Sequence, residues 1–136
     1  MKRVLFDTNV ILDVLLERRL HAETSASAWA AVETRKIEGM LAAHAVTTIH
    51  YLVRKEQGNL KAKRILSSIL RVFQIAAVDA IVIQEALQLP FADFEDAVTA
   101  AAARVAGCDF IVTRDPKGFR ESPIRALAPE AIMPFV

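Results

Sequence analysis

The sequence predicts a three-layer α/β/α sandwich around a central parallel sheet of about four to five strands, and three observations carry that reading. Short apolar runs without polar alternation, Val4-Leu5-Phe6 and Phe110-Ile111-Val112, are typical of strands buried on both faces. Between such runs lie segments with apolar residues at helical spacing, among them Ile65, Leu66, Ile69 and Leu70. Strand-like and helix-like segments alternate along the chain, which places helices on both faces of a parallel sheet.

In chain order, Lys2 to Phe6 reads as a buried first strand that stops at Asp7. Asp7-Thr8-Asn9 offers side-chain acceptors for unpaired backbone N–H groups, so a helix carrying Val10, Ile11, Val14 and Leu15 opens there. A second helix covers His21 to Lys36, with Trp29 and Val32 on its apolar stripe and Gly39 as its stop. Met40 to Ala43 is the second strand. Thr47 or Thr48 caps a helix that carries Ile49, Leu52 and Val53 and ends near Gly58-Asn59, and the next helix runs from Leu60 to Val72. Phe73 to Val78 is the third strand. Asp79 caps a helix through Ile83 and Leu87, which Pro90 interrupts. The stretch from Phe94 to Ala106 is alanine-rich and therefore strongly helical. Phe110 to Val112 is a buried strand, Ile124 to Leu127 a last edge strand, and Pro129 opens a short terminal segment.

The chain of 136 residues suits a single domain spanning residues 1–136, with no internal repeat or linker. Its 54% hydrophobic content supplies a large core and speaks against disorder. Cys108 is the only cysteine, which excludes an internal disulfide and a cysteine-built zinc site; it reads as a small buried residue. The first residues lack the pattern of a secretory signal, and no apolar run reaches the ~20 residues of a membrane span, so a cytoplasmic protein with no membrane partner is expected. The net charge of +1 points to no partner by itself. However, Arg54, Lys55, Lys61, Lys63, Arg64 and Arg71 stand together against Glu56 alone, a local bias that suits a polyanion such as RNA.

The aspartates carry the chemistry. In open parallel sheets the functional crevice lies beyond the carboxyl ends of the strands. Asp7 follows the first strand directly and Asp115 stands just past Phe110–Val112, so both should face that crevice. Asp96 falls in the first turn of the preceding helix, with Asp93 three residues earlier, a spacing that brings the two near one another. Carboxylates gathered without a cation repel, by about 4 kcal/mol for two charges ~4 Å apart at an effective dielectric of ~20. A hard cation such as Mg²⁺ or Mn²⁺ removes that penalty and can assist phosphodiester or phosphomonoester hydrolysis. Asp13 reads as a solvated helix residue and Asp109 as a strand-edge residue, while His21 and His44 read as structural or surface side chains.

Val4-Leu5-Phe6-Asp7-Thr8-Asn9-Val10-Ile11-Leu12-Asp13 resembles the opening of PIN domains, including the VapC-type toxins of bacterial toxin–antitoxin pairs. Asp93-Phe94-Glu95-Asp96-Ala97-Val98 and Phe110-Ile111-Val112-Thr113-Arg114-Asp115 resemble the second half of such domains. The resemblance implies Mg²⁺- or Mn²⁺-dependent endoribonuclease action, with Asp7, Asp96 and Asp115 on the metal and Asp93 as a further acid. It also implies Thr8, Asn9 and Thr113 as supporting polar residues, an antitoxin partner and a homodimer. Arg54, Lys55 and Arg114 are the candidate RNA contacts.

One position departs from the pattern. Where PIN domains usually carry a glutamate in the third helix, this chain offers His50, and imidazole is a poorer Mg²⁺ ligand than carboxylate. The alternative to a nuclease is therefore a catalytically weakened PIN-like module that binds RNA or protein. A haloacid-dehalogenase-like phosphatase also starts with a strand-end aspartate, but it wants a second one where Asn9 stands.

Overall fold

Both faces of the sheet are covered, which is why its strands carry no polar alternation. The computed structural model describes residues 1–136. The elements are β1 (Arg3–Phe6), α1 (Thr8–Leu15), α2 (Ala22–Glu33), β2 (Glu38–Ala42), α3 (Ala43–Gln57), α4 (Asn59–Ile69), β3 (Gln74–Ala76), α5 (Ala80–Gln88), α6 (Phe94–Val105), β4 (Phe110–Val112) and β5 (Ala126–Leu127). Two 3-10 turns, Pro116–Phe119 and Pro129–Phe135, complete the chain. All strand pairs are parallel, in the order β3-β2-β1-β4-β5. This is the three-layer sandwich expected, with five strands.

Successive side chains of a strand point to opposite faces, and each face has its own core. Val4 and Phe6 of β1, Leu41 of β2, and Phe110 and Val112 of β4 pack with α1, α2, α3 and α4. Leu5, Met40, Ala42 and Ile111 pack on the other face against α5 and α6. The alanines of α6, Ala100 to Ala103, are fully buried, so this helix lies close against the sheet. Phe73 anchors the first core, with edge-on contacts to Phe6 at 5.1 Å and to Trp29 at 5.3 Å between ring centres. In the second core, Cys108 Sγ lies 3.8 Å from Met40 Sδ. Burial pushes that thiol up to about 12, and the residue is buried as anticipated. No helix is long and apolar enough to cross a membrane.

Element boundaries differ from expectation where apolar runs blur them. β2 begins at Glu38, so Gly39 is a strand residue and not the stop of α2, which ends at Glu33. α3 begins directly after β2 at Ala43 with no side-chain cap, and Thr47 and Thr48 lie inside it. The third strand is only Gln74–Ala76, since Phe73 turns into the core ahead of it; the last strand shrinks to Ala126–Leu127.

The strand order sets the site. From β1 the chain builds outward through β2 and β3, then crosses back to β4 on the opposite side of β1. The connections diverge at the β1/β4 pair, the kind of switch point where open sheets form a crevice. The Asp7 N–H donates to Val112 O at 2.9 Å, which carries the pairing one residue past β1 and holds the two strand ends together.

Gly39 makes a specific prediction. A Cβ there would lie 2.7 Å from Val32 Cγ1 and 2.7 Å from Phe73 Cδ1, both in the packed core. Gly39→Ala is expected to destabilise the protein by about 1–3 kcal/mol through overpacking, read as a lower urea midpoint.

Candidate functional site

Asp7 ends β1 and caps α1, so its position is fixed by two elements at once. Its Oδ1 accepts from Thr8 N at 2.9 Å, and its Oδ2 accepts from Thr113 Oγ1 at 2.9 Å. Thr113 is buried at the end of β4 and also accepts from Asp115 N at 3.2 Å. One hydroxyl thus joins the segments that carry Asp7 and Asp115. Burial raises the Asp7 pKa above the ordinary carboxylate value, against the lowering effect of the Thr113 and Thr8 bonds; Glu95 raises it further and His44 lowers it.

Asp93 caps α6, its Oδ1 accepting from Asp96 N at 3.2 Å. Asp96 is half-buried in the first turn of that helix. Its pKa is pushed up to about 7, first by desolvation and then by Asp7, Asp93, Glu95 and Asp115. All four sequence-predicted acids therefore share one field, joined by Glu95. Asp115 is exposed, and Gly118 lets it approach Asp96: a Cβ on Gly118 would lie 2.9 Å from Asp115 Oδ2 and 3.8 Å from Asp96 Oδ2. Any side chain there would press on the Asp115 carboxylate.

The supporting residues divide. Thr113 bridges the site as just described, and Thr8 contributes through its backbone N–H. Asn9 is exposed, and its Oδ1 accepts from Arg18 Nη1 at 3.3 Å. His50 is not among the groups whose charge reaches Asp7 or Asp96; the α3 imidazole that acts on Asp7 is His44. His44 sits in the first turn of α3, just past the carboxyl end of β2. Its Nε2 is 3.4 Å from Thr99 Oγ1, and its Nδ1 is buried without a hydrogen-bond partner. Thr99 in turn donates to Glu95 O at 3.1 Å. The reading of His44 as structural or surface thus gives way to a place beside the acids.

Two further expectations change. Asp13 is fully buried, not solvated, because Arg114 and Arg18 converge on it. Arg114 directs its Nε to Asp13 Oδ2 at 3.1 Å and so spends charge inward, where an outward phosphate contact was anticipated. Arg54 and Lys55 are exposed in the last turn of α3, with Arg54 over the Tyr51 ring at 5.8 Å. That turn lies about 15 Å along the helix axis from His44, at 1.5 Å of rise per residue.

Carboxylate oxygens are the donor type that a hard divalent cation prefers. No three acid, histidine or cysteine side chains stand close enough together to hold a metal ion as the protein rests. The acids are grouped, but not drawn into a cage. His44 and Gly118 were not legible as site residues: no motif marks either, and only the path of α3 and the 3-10 turn brings them in.

Comparison with known proteins identifies the family and the fold. A family model described as PIN domain matches residues 3–117. The chain is 26% identical over 134 residues to the Ribonuclease VapC1 of Aquifex aeolicus, covering 95% of this chain and 92% of that protein. Among solved structures, FitAcB from Neisseria gonorrhoeae superimposes with a TM-score of 0.75 at 22% identity, covering 93% of this chain and 97% of that one. DNA-bound VapBC from Salmonella typhimurium gives 0.71 at 14% identity, covering 95% and 99%.

The electrostatics predict a pH-dependent stability. A carboxyl whose folded pKa is raised favours the folded state only while protonated, so its contribution is complete below ~4 and is lost as pH rises through about 7. Asp96→Asn, which mimics the neutral form, should stabilise the metal-free protein above pH 7. The gain is about 1–2 kcal/mol, reduced from the full shift because half the group meets solvent. Thermal melts in EDTA should show this gain shrinking toward zero near pH 4.

Proposed function

The chain belongs to the PIN-domain family, and from that membership we propose that it is a metal-dependent endoribonuclease, the toxin of a toxin–antitoxin pair. The observation that carries the proposal is Asp96, whose pKa is pushed up to about 7 by burial first and then by the carboxylates of Asp7, Asp93, Glu95 and Asp115. A resting protein gains nothing from such repulsion, whereas a cation site needs it. The similarity to a protein named a ribonuclease supports RNA as substrate.

Asp7, Asp96 and Asp115 would hold Mg²⁺ or Mn²⁺. When bound at such a site, a divalent cation neutralises phosphate charge and lowers the pKa of a water. The chain's own residues prepare the ground. Thr113 and Thr8 hold the Asp7 carboxylate in one orientation, and Asp93 fixes the first turn of α6 and adds negative charge. Asp96, with its raised pKa, would give up its proton on taking a cation. Arg54 and Lys55 form a basic rim remote from the acids, suited to the RNA backbone and sensitive to salt.

A small antitoxin protein is the proposed partner, supported by the VapBC complexes that share the fold. A homodimer is proposed as well, and the apolar side chains Ile81 and Leu87 that α5 leaves in solvent support a surface for it.

A second reading is favoured by two specific observations: no three side chains form a closed ligand group, and α3 supplies imidazoles where the family usually has a glutamate. In that reading the chain is a catalytically weakened PIN-like module that grips RNA or a protein partner. One experiment separates the two. The nuclease reading expects purified protein to cleave RNA with Mn²⁺ and to stop with EDTA. Asp7→Asn should then lose at least the ~10–100-fold that changes around metal ligands bring. RNA binding without metal, with no cleavage by wild type or variant, would replace it by the second reading.

A further inference from the structure

The buried carboxylate of Asp13 has no part in the acid cluster, yet its partners reach both halves of it. Its Oδ2 accepts from Ser25 Oγ at 3.2 Å and lies 3.1 Å from Arg114 Nε; its Oδ1 lies 3.6 Å from Arg18 Nη1. Arg18 Nη1 also donates to Asn9 Oδ1 at 3.3 Å. Neither Asp13 Oδ1 nor Arg114 Nε has an aligned hydrogen bond, so these contacts are held by charge. Arg114 is the residue before Asp115, and Asn9 is two residues after Asp7.

We infer that Asp13 is a positioning residue, which through Arg114 anchors the β4-to-3-10 turn that presents Asp115 and so sets the affinity of the crevice for its cation. Asp115 is itself exposed and gives no side-chain bond to the 3-10 turn it caps. Its backbone is tied on one side by the Thr113 hydroxyl. The Arg114 side chain, drawn to a carboxylate with no access to solvent, supplies the second tie and fixes the direction in which the turn leaves β4. A buried charge that loses its partner is strongly unfavourable, so the pair resists opening. Arg18 extends the same anchor to the start of α1.

The part of this inference that concerns the cation rests on the nuclease reading, and two measurements keep them apart. Amide hydrogen exchange at Asp115 and Gly118, whose N–H groups are bonded, needs no metal. Arg114→Met, at a half-buried position, should leave a folded protein in which those amides exchange about tenfold faster. Calorimetry with Mn²⁺ should show affinity about 10–100-fold weaker for Arg114→Met and for Asp13→Asn, with the double variant no worse than either alone. Unchanged exchange in folded Arg114→Met, or additive losses in the double variant, would overturn the proposal. Faster exchange in a protein whose wild type takes up no Mn²⁺ would uphold the anchor and remove the metal-site reading instead.

Discussion

Like charges brought together against their mutual repulsion are the constraint on which the rest of this structure turns. Asp7, Asp96 and Asp115 come from the end of a strand, the start of a helix and a 3-10 turn, segments far apart in the chain. Asp7 and Asp96 lose hydration there, and burial with the neighbouring acids raises the pKa of both. What keeps them in place is neutral scaffolding. Backbone pairing extends from β1 to β4 through Asp7, and the Thr113 hydroxyl donates to one acid's carboxylate while accepting from the other's amide. Both cores then hold the strands rigid from either face.

The crevice is therefore unequal in its walls. On the β1/β4 side, Asp7 has both carboxylate oxygens engaged and little freedom to turn. On the α6 side, Asp96 receives no side-chain hydrogen bond and Asp115 is exposed, with the small Gly118 leaving room between them. One acid is thus held by two bonds while two lack side-chain partners, so the acids are grouped without forming a cage.

The fold was legible because two kinds of evidence agreed. Unalternating apolar runs implied covered strands, and helical spacing between them implied the covering layers. Boundaries were less legible, since Phe73 and Gly39 are compatible with either side of a strand end until packing decides. That Asp7, Asp96 and Asp115 would lie near one another was readable because strand ends and helix starts have predictable places in a parallel sheet. His44 could not be separated from His50, because the choice depends on where α3 begins. An uncapped start at Ala43, with no Ser, Thr, Asp or Asn to mark it, gives no local signal. Asp13 was misjudged for a different reason: a polar residue on an amphipathic helix looks solvated until distant arginines are folded against it.

The sulfur pair at the base of α6 has a practical corollary. Cys108 is buried against Met40, and with its thiol at about 12 almost none of it ionises near neutrality. Toward alkylating reagents and mild oxidants such a thiol is expected to be inert in the native fold. A single thiol engineered at the rim of the crevice would react alone, giving a spectroscopic label at the site with no native residue to remove first.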